Sequence, residues 1–463
     1  MNLLHPSRRD FLKAVGLGVA SLATPLLVHA TPRPPKHLNI ILAIADDLSA
    51  RELGCYGHQT HSTPVLDHLA KTGVQFKTCW ATPLCLPSRA ELMTGRYGFR
   101  TGWYGNSLRG DALPQSNKLF STWLKEAGYA TAICGKWQLK GTAAQHGFDE
   151  HCLWSQSAYE GFDGLIRQEG RAAGRTARYW HPAIVENDQP VPTTDMDYGP
   201  DIFVDFLLNF VKRNRLHPFL VYHPMVLPHR SFERHGYSPV PEVDQQGRKT
   251  GNEIPGSLKS NVEYIDTLMK RIVKGLEEAG LRQNTVIIFT SDNATDGEGK
   301  ESTKQEDGPR VPMIVNCPGE VKPLGAVDAL IDFSDVLPTL CELGGVKLPA
   351  DYIIDGHSFV PVLRGATGKG REWIFSFLLD HRFLRDQRWL LDGEGRFYDC
   401  GSHRDGEGYK EVTDAVAPEV AAARQRFELI LKDLPPPALV GKVPQGQQQF
   451  REGRGGKKNL IVK

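Results

Sequence analysis

Residues 38–45 read Leu-Asn-Ile-Ile-Leu-Ala-Ile-Ala and stop at Asp46-Asp47. An almost unbroken apolar run with no polar alternation describes a strand buried on both faces. Such a strand belongs in a parallel sheet covered by helices above and below. The loop at its carboxyl end is where sheets of that kind hold their ligands. Similar runs recur at 130–134, 219–222, 286–290 and 311–315. Helix-like periodicity fills the intervals at 64–72, 119–127, 202–213, 258–279 and 333–343. The alternation predicts an α/β fold with a large mixed, mostly parallel sheet sandwiched by helices.

The pattern changes after residue 363. Residues 373–379, 388–391 and 395–398 are short strand candidates between Asp and Gly turns, and 415–431 reads as a helix. The expected organisation is a main domain over 36–365, a small antiparallel-sheet-plus-helix subdomain over 366–434, and an extended or disordered tail over 435–463.

The N-terminus reads Ser7-Arg8-Arg9-Asp10-Phe11-Leu12-Lys13, then an apolar run over 14–28, then His29-Ala30. A charged start, a short apolar stretch and a small-residue exit describe a secretory signal over residues 1–30. The paired arginines look like a twin-arginine (Tat) signal. A periplasmic or secreted location is therefore expected, with the Tat export machinery as a partner. The run is too short and too rich in Gly and Ala to span a bilayer, and no other stretch is long enough, so no integral membrane span is expected. The formal net charge is +1, and the signal holds Arg8, Arg9 and Lys13 against Asp10, which leaves −1 without it. A near-neutral protein gives no electrostatic case for nucleic acid as a partner. The eight cysteines are dispersed and form no C-x-x-C pair, which argues against a zinc ribbon and for mostly buried thiols.

The most informative segment is Cys85-Leu86-Pro87-Ser88-Arg89-Ala90-Glu91-Leu92-Met93-Thr94-Gly95-Arg96. Pro87 suits the first turn of a helix. Cys85 then sits at the positive end of the helix dipole. Arg89, one turn on, shares its face and favours an anion. On its residues alone, the segment is either a reactive group beside an anion site or a buried cysteine on a core helix.

The segment also resembles the signature of the formylglycine-dependent (type I) sulfatases, C-x-P-S-R-x-x-x-x-T-G-R, at every fixed position. Other blocks match in the family's order: Thr63-Pro64-Val65-Leu66-Asp67, Gly73-Val74-Gln75-Phe76, Gly135-Lys136-Trp137, Ser291-Asp292-Asn293 and Gly308-Pro309-Arg310-Val311-Pro312. The resemblance spans about residues 38–400. It implies an alkaline-phosphatase-like fold and a sulfuric ester hydrolase. It further implies that a formylglycine-generating enzyme oxidises Cys85 to 3-oxoalanine (formylglycine). The aldehyde hydrate has two hydroxyls: one attacks sulfur, and the other later expels the sulfate.

Asp46 and Asp47 end one strand, and Asp292 and Asn293 follow another. They offer oxygen ligands only, which suits Ca²⁺, with Mg²⁺ second, and disfavours zinc. The resemblance implies Ca²⁺ at these four positions, with the residue made from Cys85 as a further ligand. Arg89, Lys136 and Lys300 match the family's sulfate-binding cations. The spacing after Lys300 is irregular, and Lys304 is the alternative. His229 matches the histidine that contacts the ester and protonates the leaving alkoxide. One position departs: the family reads G-K-W-H, and this chain reads Gly135-Lys136-Trp137-Gln138. The family histidine there is thought to accept the proton of the hydrate when sulfate is expelled. Gln138 can hydrogen-bond the nucleophile but cannot act as a base, which leaves His146 and His151 as candidates. The expected catalytic set is Cys85, Arg89, Lys136, His229 and Lys300, with Gln138 joining Arg89, Lys136, His229 and Lys300 in substrate contact.

The expected substrate is a sulfated small molecule or glycan, with a sulfated carbohydrate favoured. Trp103-Tyr104, Arg109, Trp154 and Tyr179-Trp180 are candidates to line a sugar pocket. Two other functions use the same residues. One is hydrolysis of phosphate or phosphonate esters. The other, motivated by Gln138, is weakly catalytic binding of a sulfated glycan.

Overall fold

The computed structural model describes residues 37–106, 117–155, 177–231, 236–366 and 370–436. The signal over 1–30, Arg109, and all but the first two residues of the tail lie outside them. The opening apolar run becomes β1 (Asn39–Asp46). It is followed by α1 (Pro64–Lys71), β2 (Val74–Trp80), α2 (Cys85–Thr94), α3 (Phe120–Glu126), β3 (Ala130–Gly135), β4 (Glu150–Trp154), β5 (Ile184–Glu186) and β6 (Gln189–Val191). Then come α4 (Gly199–Arg213), β7 (Phe219–Pro228), β8 (Val240–Val243), β9 (Lys249–Ile254), α5 (Leu258–Glu278), β10 (Thr285–Ser291), β11 (Arg310–Val311), β12 (Met313–Asn316), β13 (Gly325–Asp332) and α6 (Val336–Leu343). The C-terminal elements are β14 (Trp373–Leu378), β15 (His381–Asp386), β16 (Trp389–Leu391), β17 (Phe397–Asp399), β18 (Lys410–Glu411) and α7 (Pro418–Lys432).

Side chains of β1 alternate between two cores, which explains why the run carries no polar alternation. Ile40, Leu42 and Ile44 pack with Leu86 and Met93 of α2, Phe120 and Leu124 of α3, and Leu337 of α6. Ile41, Ala43 and Ala45 pack with Leu66 of α1, Phe203 and Leu207 of α4, and Ile265 of α5. The main sheet runs β11-β2-β12-β10-β1-β7-β3-β4-β5-β6, with β13 paired to β2. Its centre, β10-β1-β7-β3-β4, is parallel, and antiparallel pairs close both flanks. The expected mixed α/β sheet is what forms.

Register places the chemistry. β1 is held beside β10 (Ala45 opposite Ser291) and beside β7 (Asp46 opposite Pro228), and β7 lies beside β3 (Tyr222 opposite Ile133). The carboxyl ends of these neighbouring parallel strands therefore present Asp46-Asp47, Asp292-Asn293, His229 and Lys136 on one edge of the sheet.

Three expectations are corrected, and one strand is added. The run 311–315 is two strands, because Pro312 lacks an N–H for the ladder; its carbonyl instead accepts from Thr290 Oγ1 at 2.7 Å. The helix expected from 333 starts at Val336, because Asp332 and Asp335 cap a preceding turn: Asp332 accepts from Ser334 N and Asp335 from Asp332 N. The helix expected from 415 starts at Pro418, a residue suited to a first helical turn. β15 was not anticipated. Its inward Arg385 breaks the apolar pattern and is buried against Glu306 at 2.6 Å.

β14 to β18 form the small antiparallel sheet, with α7 beside it. This sheet buttresses the loop that carries Lys300. Gly393 N donates to Thr303 O at 2.9 Å, and Gln305 N donates to Asp392 Oδ2 at 3.1 Å. Buried Glu306 accepts from Trp80 Nε1 of the main sheet and from Arg385 of the small one. Among the described residues no helix is long and apolar enough to cross a membrane. All eight cysteines are free, and seven are buried.

Candidate active site

Cys85 opens α2, and the residues of its segment have local duties. Ser88 Oγ accepts from Thr82 N at 3.0 Å and lies 2.9 Å from the carbonyls of Thr82 and Leu84, which fixes the approach to the helix. Gly95 ends it in the left-handed conformation (φ 67°). Arg96 turns away, donating to Ile353 O and lying over the Tyr352 ring. Every residue of α2 is buried, and Arg89 reaches from its first turns into the sheet edge.

That edge is a dense ionic cluster. Arg89 donates to Asp292 Oδ2 through Nε at 3.0 Å and through a terminal nitrogen at 2.6 Å, and lies 3.3 Å from Asp46 Oδ1. Lys136 Nζ donates to Asp46 Oδ1 at 2.7 Å, and Lys300 Nζ donates to Asp47 Oδ2 at 2.7 Å. Asn293 Nδ2 donates to Asp47 Oδ1 at 2.8 Å. Cys85 Sγ faces the same oxygen at 3.7 Å. His229 Nε2 is 3.6 Å from Asp47 Oδ2, and its Nδ1 is 2.8 Å from Arg230 O. Lys304 is exposed, so Lys300 is the lysine that reaches the cluster.

Backbone shape sets these contacts. Asp47 is left-handed (φ 72°), uncommon outside glycine but tolerated by Asp. Gly135 has φ 129°, and a Cβ there would meet Pro224 O at 2.0 Å. That close approach lets Lys136 N donate to Pro224 O at 2.8 Å and turn its side chain into the cluster.

The charges settle unevenly. Burial opposes ionisation of Asp46, but Lys136, His229, Arg89 and Arg178 outweigh it and hold the carboxyl well below its usual range. Asp47 is lowered as well, with Lys300 and His229 overcoming its burial. Burial raises Asp292 to about 6, against the pull of Arg89. Burial, with Asp292 adding to it, pushes the Cys85 thiol well above its ordinary range. The helix dipole does not make a thiolate here, so the encoded cysteine stays a protonated thiol. Burial pushes His229 down to about 4.

The residues present fit a hard cation. Asp46, Asp47, Cys85 and Asp292 each place a ligand atom within 4.8 Å of the others. Among the described residues nothing donates a hydrogen bond to buried Asp46 Oδ2 or Asn293 Oδ1, and Arg178 stands 3.5 Å from the former. Buried oxygens left in that way are what a divalent cation satisfies. A second grouping, Glu52, His58 and His61, fits poorly. His58 Nδ1 accepts from the backbone N–H groups of Thr60 and His61, which puts the ring proton on Nε2 and leaves no lone pair for a metal.

Gln138 follows Lys136 by two positions, and its Oε1 is buried without a hydrogen-bond partner among the described residues. The candidate replacement bases are engaged elsewhere: His146 Nε2 lies 2.8 Å from Lys140 O, and His151 Nε2 pairs with Asp188 at 3.2 Å. Trp103, Trp154 and Tyr179 are buried core residues, which corrects their expected place in a sugar pocket; Tyr104 and Trp180 keep partial exposure. Sequence reasoning missed Arg178. It is 1% exposed and brings its guanidinium 3.5 Å from Asp46 Oδ2, over the Trp154 ring. No motif contains it; the only signal was a cation inside the run Arg178-Tyr179-Trp180.

The chain is similar to known proteins in sequence and in fold. A family model described as Sulfatase matches residues 38–346. Steryl-sulfatase of Mus musculus is 30% identical, across 83% of this chain and 74% of its own length. The crystal structure of Ps i-CgsB in complex with k-i-k-neocarrahexaose superposes with a TM-score of 0.70 at 24% identity, covering 90% of this chain and 98% of that one. A structure in complex with its substrate D-Glucosamine-2-N, 6-O-disulfate gives 0.66 at 21% identity, covering 90% and 99%.

Proposed function

Because the chain belongs to the sulfatase family, we propose that it cleaves the sulfate ester of a carbohydrate, using a formylglycine made from Cys85 and a divalent cation held by Asp46, Asp47, Asp292 and Asn293. Hydrolysis of sulfate esters follows from that membership. One observation carries the finer reading: the carboxyl ends of separate strands and the start of α2 converge on a buried oxygen-rich cluster ringed by cations. When present, formylglycine supplies the attacking oxygen, and the cation stabilises its charge. Ca²⁺ is the first choice because every ligand is a hard oxygen, with Mg²⁺ second.

The chain's own side chains divide the remaining work. Arg89 locks Asp292 and Asp46 in place and offers charge to the sulfate oxygens. Lys136 rests on Asp46 and Lys300 on Asp47, and both can turn their charge to an anion once a cation takes the carboxylates. With Nδ1 donating to Arg230 O, the neutral His229 ring presents Nε2 to the cluster. A sulfate ester beside it raises its proton affinity, which suits the ring to pass a proton to the leaving alkoxide. Gln138 supplies amide donors and a spare acceptor for a substrate hydroxyl.

A carbohydrate is favoured because two fold neighbours were solved with sugars, k-i-k-neocarrahexaose and D-Glucosamine-2-N, 6-O-disulfate. The twin-arginine segment adds export to the periplasm or beyond. Since that route moves folded protein, the formylglycine-generating enzyme would act first, in the cytoplasm. A kinetic panel tests the reading: sulfated sugars, aryl sulfates and matched phosphate esters are compared at equal concentration. Faster turnover of the sulfated sugars is expected. Faster turnover of the phosphate esters would reassign the chemistry.

A further inference from the structure

We propose that Arg178 is a further substrate-binding cation of this site, contacting the bound sulfate ester on its His229 side. The inference rests on the reading above and adds to it a residue that no motif supplies.

Three cations converge on one carboxylate. Arg89 and Lys136 approach Asp46 Oδ1, at 3.3 and 2.7 Å. Arg178 approaches the other oxygen, Oδ2, at 3.5 Å. It therefore pairs with the same carboxylate as the two residues matched to sulfate binding, at its other oxygen. Position along the chain identifies its side of the site. Tyr179, the next residue, places its hydroxyl within hydrogen-bond reach of the carbonyls of Val226 and His229. The 178–179 segment thus clasps the turn that carries His229.

Charge and rigidity support the role. Among the described residues the cluster holds Arg89, Lys136, Arg178 and Lys300 against Asp46, Asp47 and Asp292. Adding a divalent cation leaves a clear excess of positive charge, which suits an anionic substrate and a doubly charged product. The guanidinium lies 4.4 Å over the Trp154 ring, and Trp154 is itself buried in the core. That platform fixes the plane of the fork, so little side-chain freedom is lost when an anion binds. A solvated arginine would offer neither property.

The test measures binding rather than turnover. Titrating inorganic sulfate calorimetrically into the Cys85→Ala protein, saturated with Ca²⁺, should show binding. If this parent does not bind sulfate, the proposed function itself fails. Adding Arg178→Met should weaken sulfate roughly 10- to 100-fold, the size of one charge-assisted contact, while Ca²⁺ affinity measured separately stays within about threefold. Arg178→Lys should recover part of the loss. In the active enzyme the same substitutions should raise KM for a sulfate ester. Unchanged sulfate affinity in Arg178→Met overturns the proposal. So does a loss that excess Ca²⁺ restores, which would make Arg178 only a positioning residue for Asp46. Should Arg178→Met not fold, Arg178→Lys decides: affinity equal to the parent contradicts a direct fork contact.

Discussion

Arg89 and Asp292 lie 203 positions apart in the chain and form a buried pair in which two guanidinium nitrogens converge on one carboxylate oxygen, at 3.0 and 2.6 Å. The pair ties the helix that begins with Cys85 to the strand end that carries half of the oxygen ligands. Breaking a buried pair leaves an uncompensated charge, which costs about 3–5 kcal/mol. Arg89→Ala should therefore lower the unfolding free energy by that order and abolish turnover. Arg89→Lys keeps the charge but not the fork; it should retain most of the stability and lose at least ~100-fold in kcat/KM. Denaturant titration and steady-state kinetics on both variants check this. Wild-type turnover in Arg89→Lys would remove Arg89 from the sulfate site.

Calcium should stabilise the fold. At about 100 times its dissociation constant, an ion that binds only the native state adds ~3 kcal/mol. Thermal scans with Ca²⁺ and with a chelator should separate clearly for the wild type. In Asp46→Asn, which removes one buried anionic ligand, the separation should shrink. An equal shift in both proteins contradicts the ligand assignment.

Gln138 should be dispensable for folding but not for catalysis. Its Oε1 is buried without a hydrogen-bond partner among the described residues, an arrangement that costs stability. Gln138→Leu should leave the melting temperature unchanged or raise it, while KM for the sulfate ester rises. A large loss of stability would show that the amide is held by the protein rather than by a substrate.

Most of the candidate site is legible in the sequence. The buried run before Asp46-Asp47, the segment starting at Cys85 and the Ser291-Asp292-Asn293 block are local patterns, and parallel pairing alone brings their ends together. Lys300 over Lys304 was not decidable locally. It depends on a loop braced by the C-terminal sheet, through contacts such as Gly393 to Thr303. Arg178 was invisible for a related reason. It reaches Asp46 only because its segment folds against the His229 turn, and no spacing encodes that. β15 failed in the other direction: an inward arginine paired with Glu306 erased the alternation that marks a strand.

The acid side of the stability profile should carry a histidine signature. His223 on β7 is fully buried, and burial holds it down at about 4, against about 6.5 in an unfolded chain. Between those values the unfolded state binds more protons, so stability rises with pH there and is lost as pH falls from about 6.5 towards 4. The loss should reach ~3 kcal/mol, and His229 acts in the same sense. Urea unfolding at about pH 7 and about pH 4.5 should show a smaller loss for His223→Phe than for the wild type. Identical losses would place the proton elsewhere.

Cys85 is a buried and protonated thiol that faces Asp47 Oδ1 at 3.7 Å, and the proposed mechanism makes it only the precursor of the nucleophile. Mass spectrometry of the tryptic peptide over residues 78–89, from a catalytically active preparation made in a host with a formylglycine-generating enzyme, tests this most directly. The expected result is a peptide carrying the mass loss of thiol-to-aldehyde conversion, in a proportion that tracks specific activity across preparations. A fully active preparation with Cys85 entirely unmodified would contradict the account.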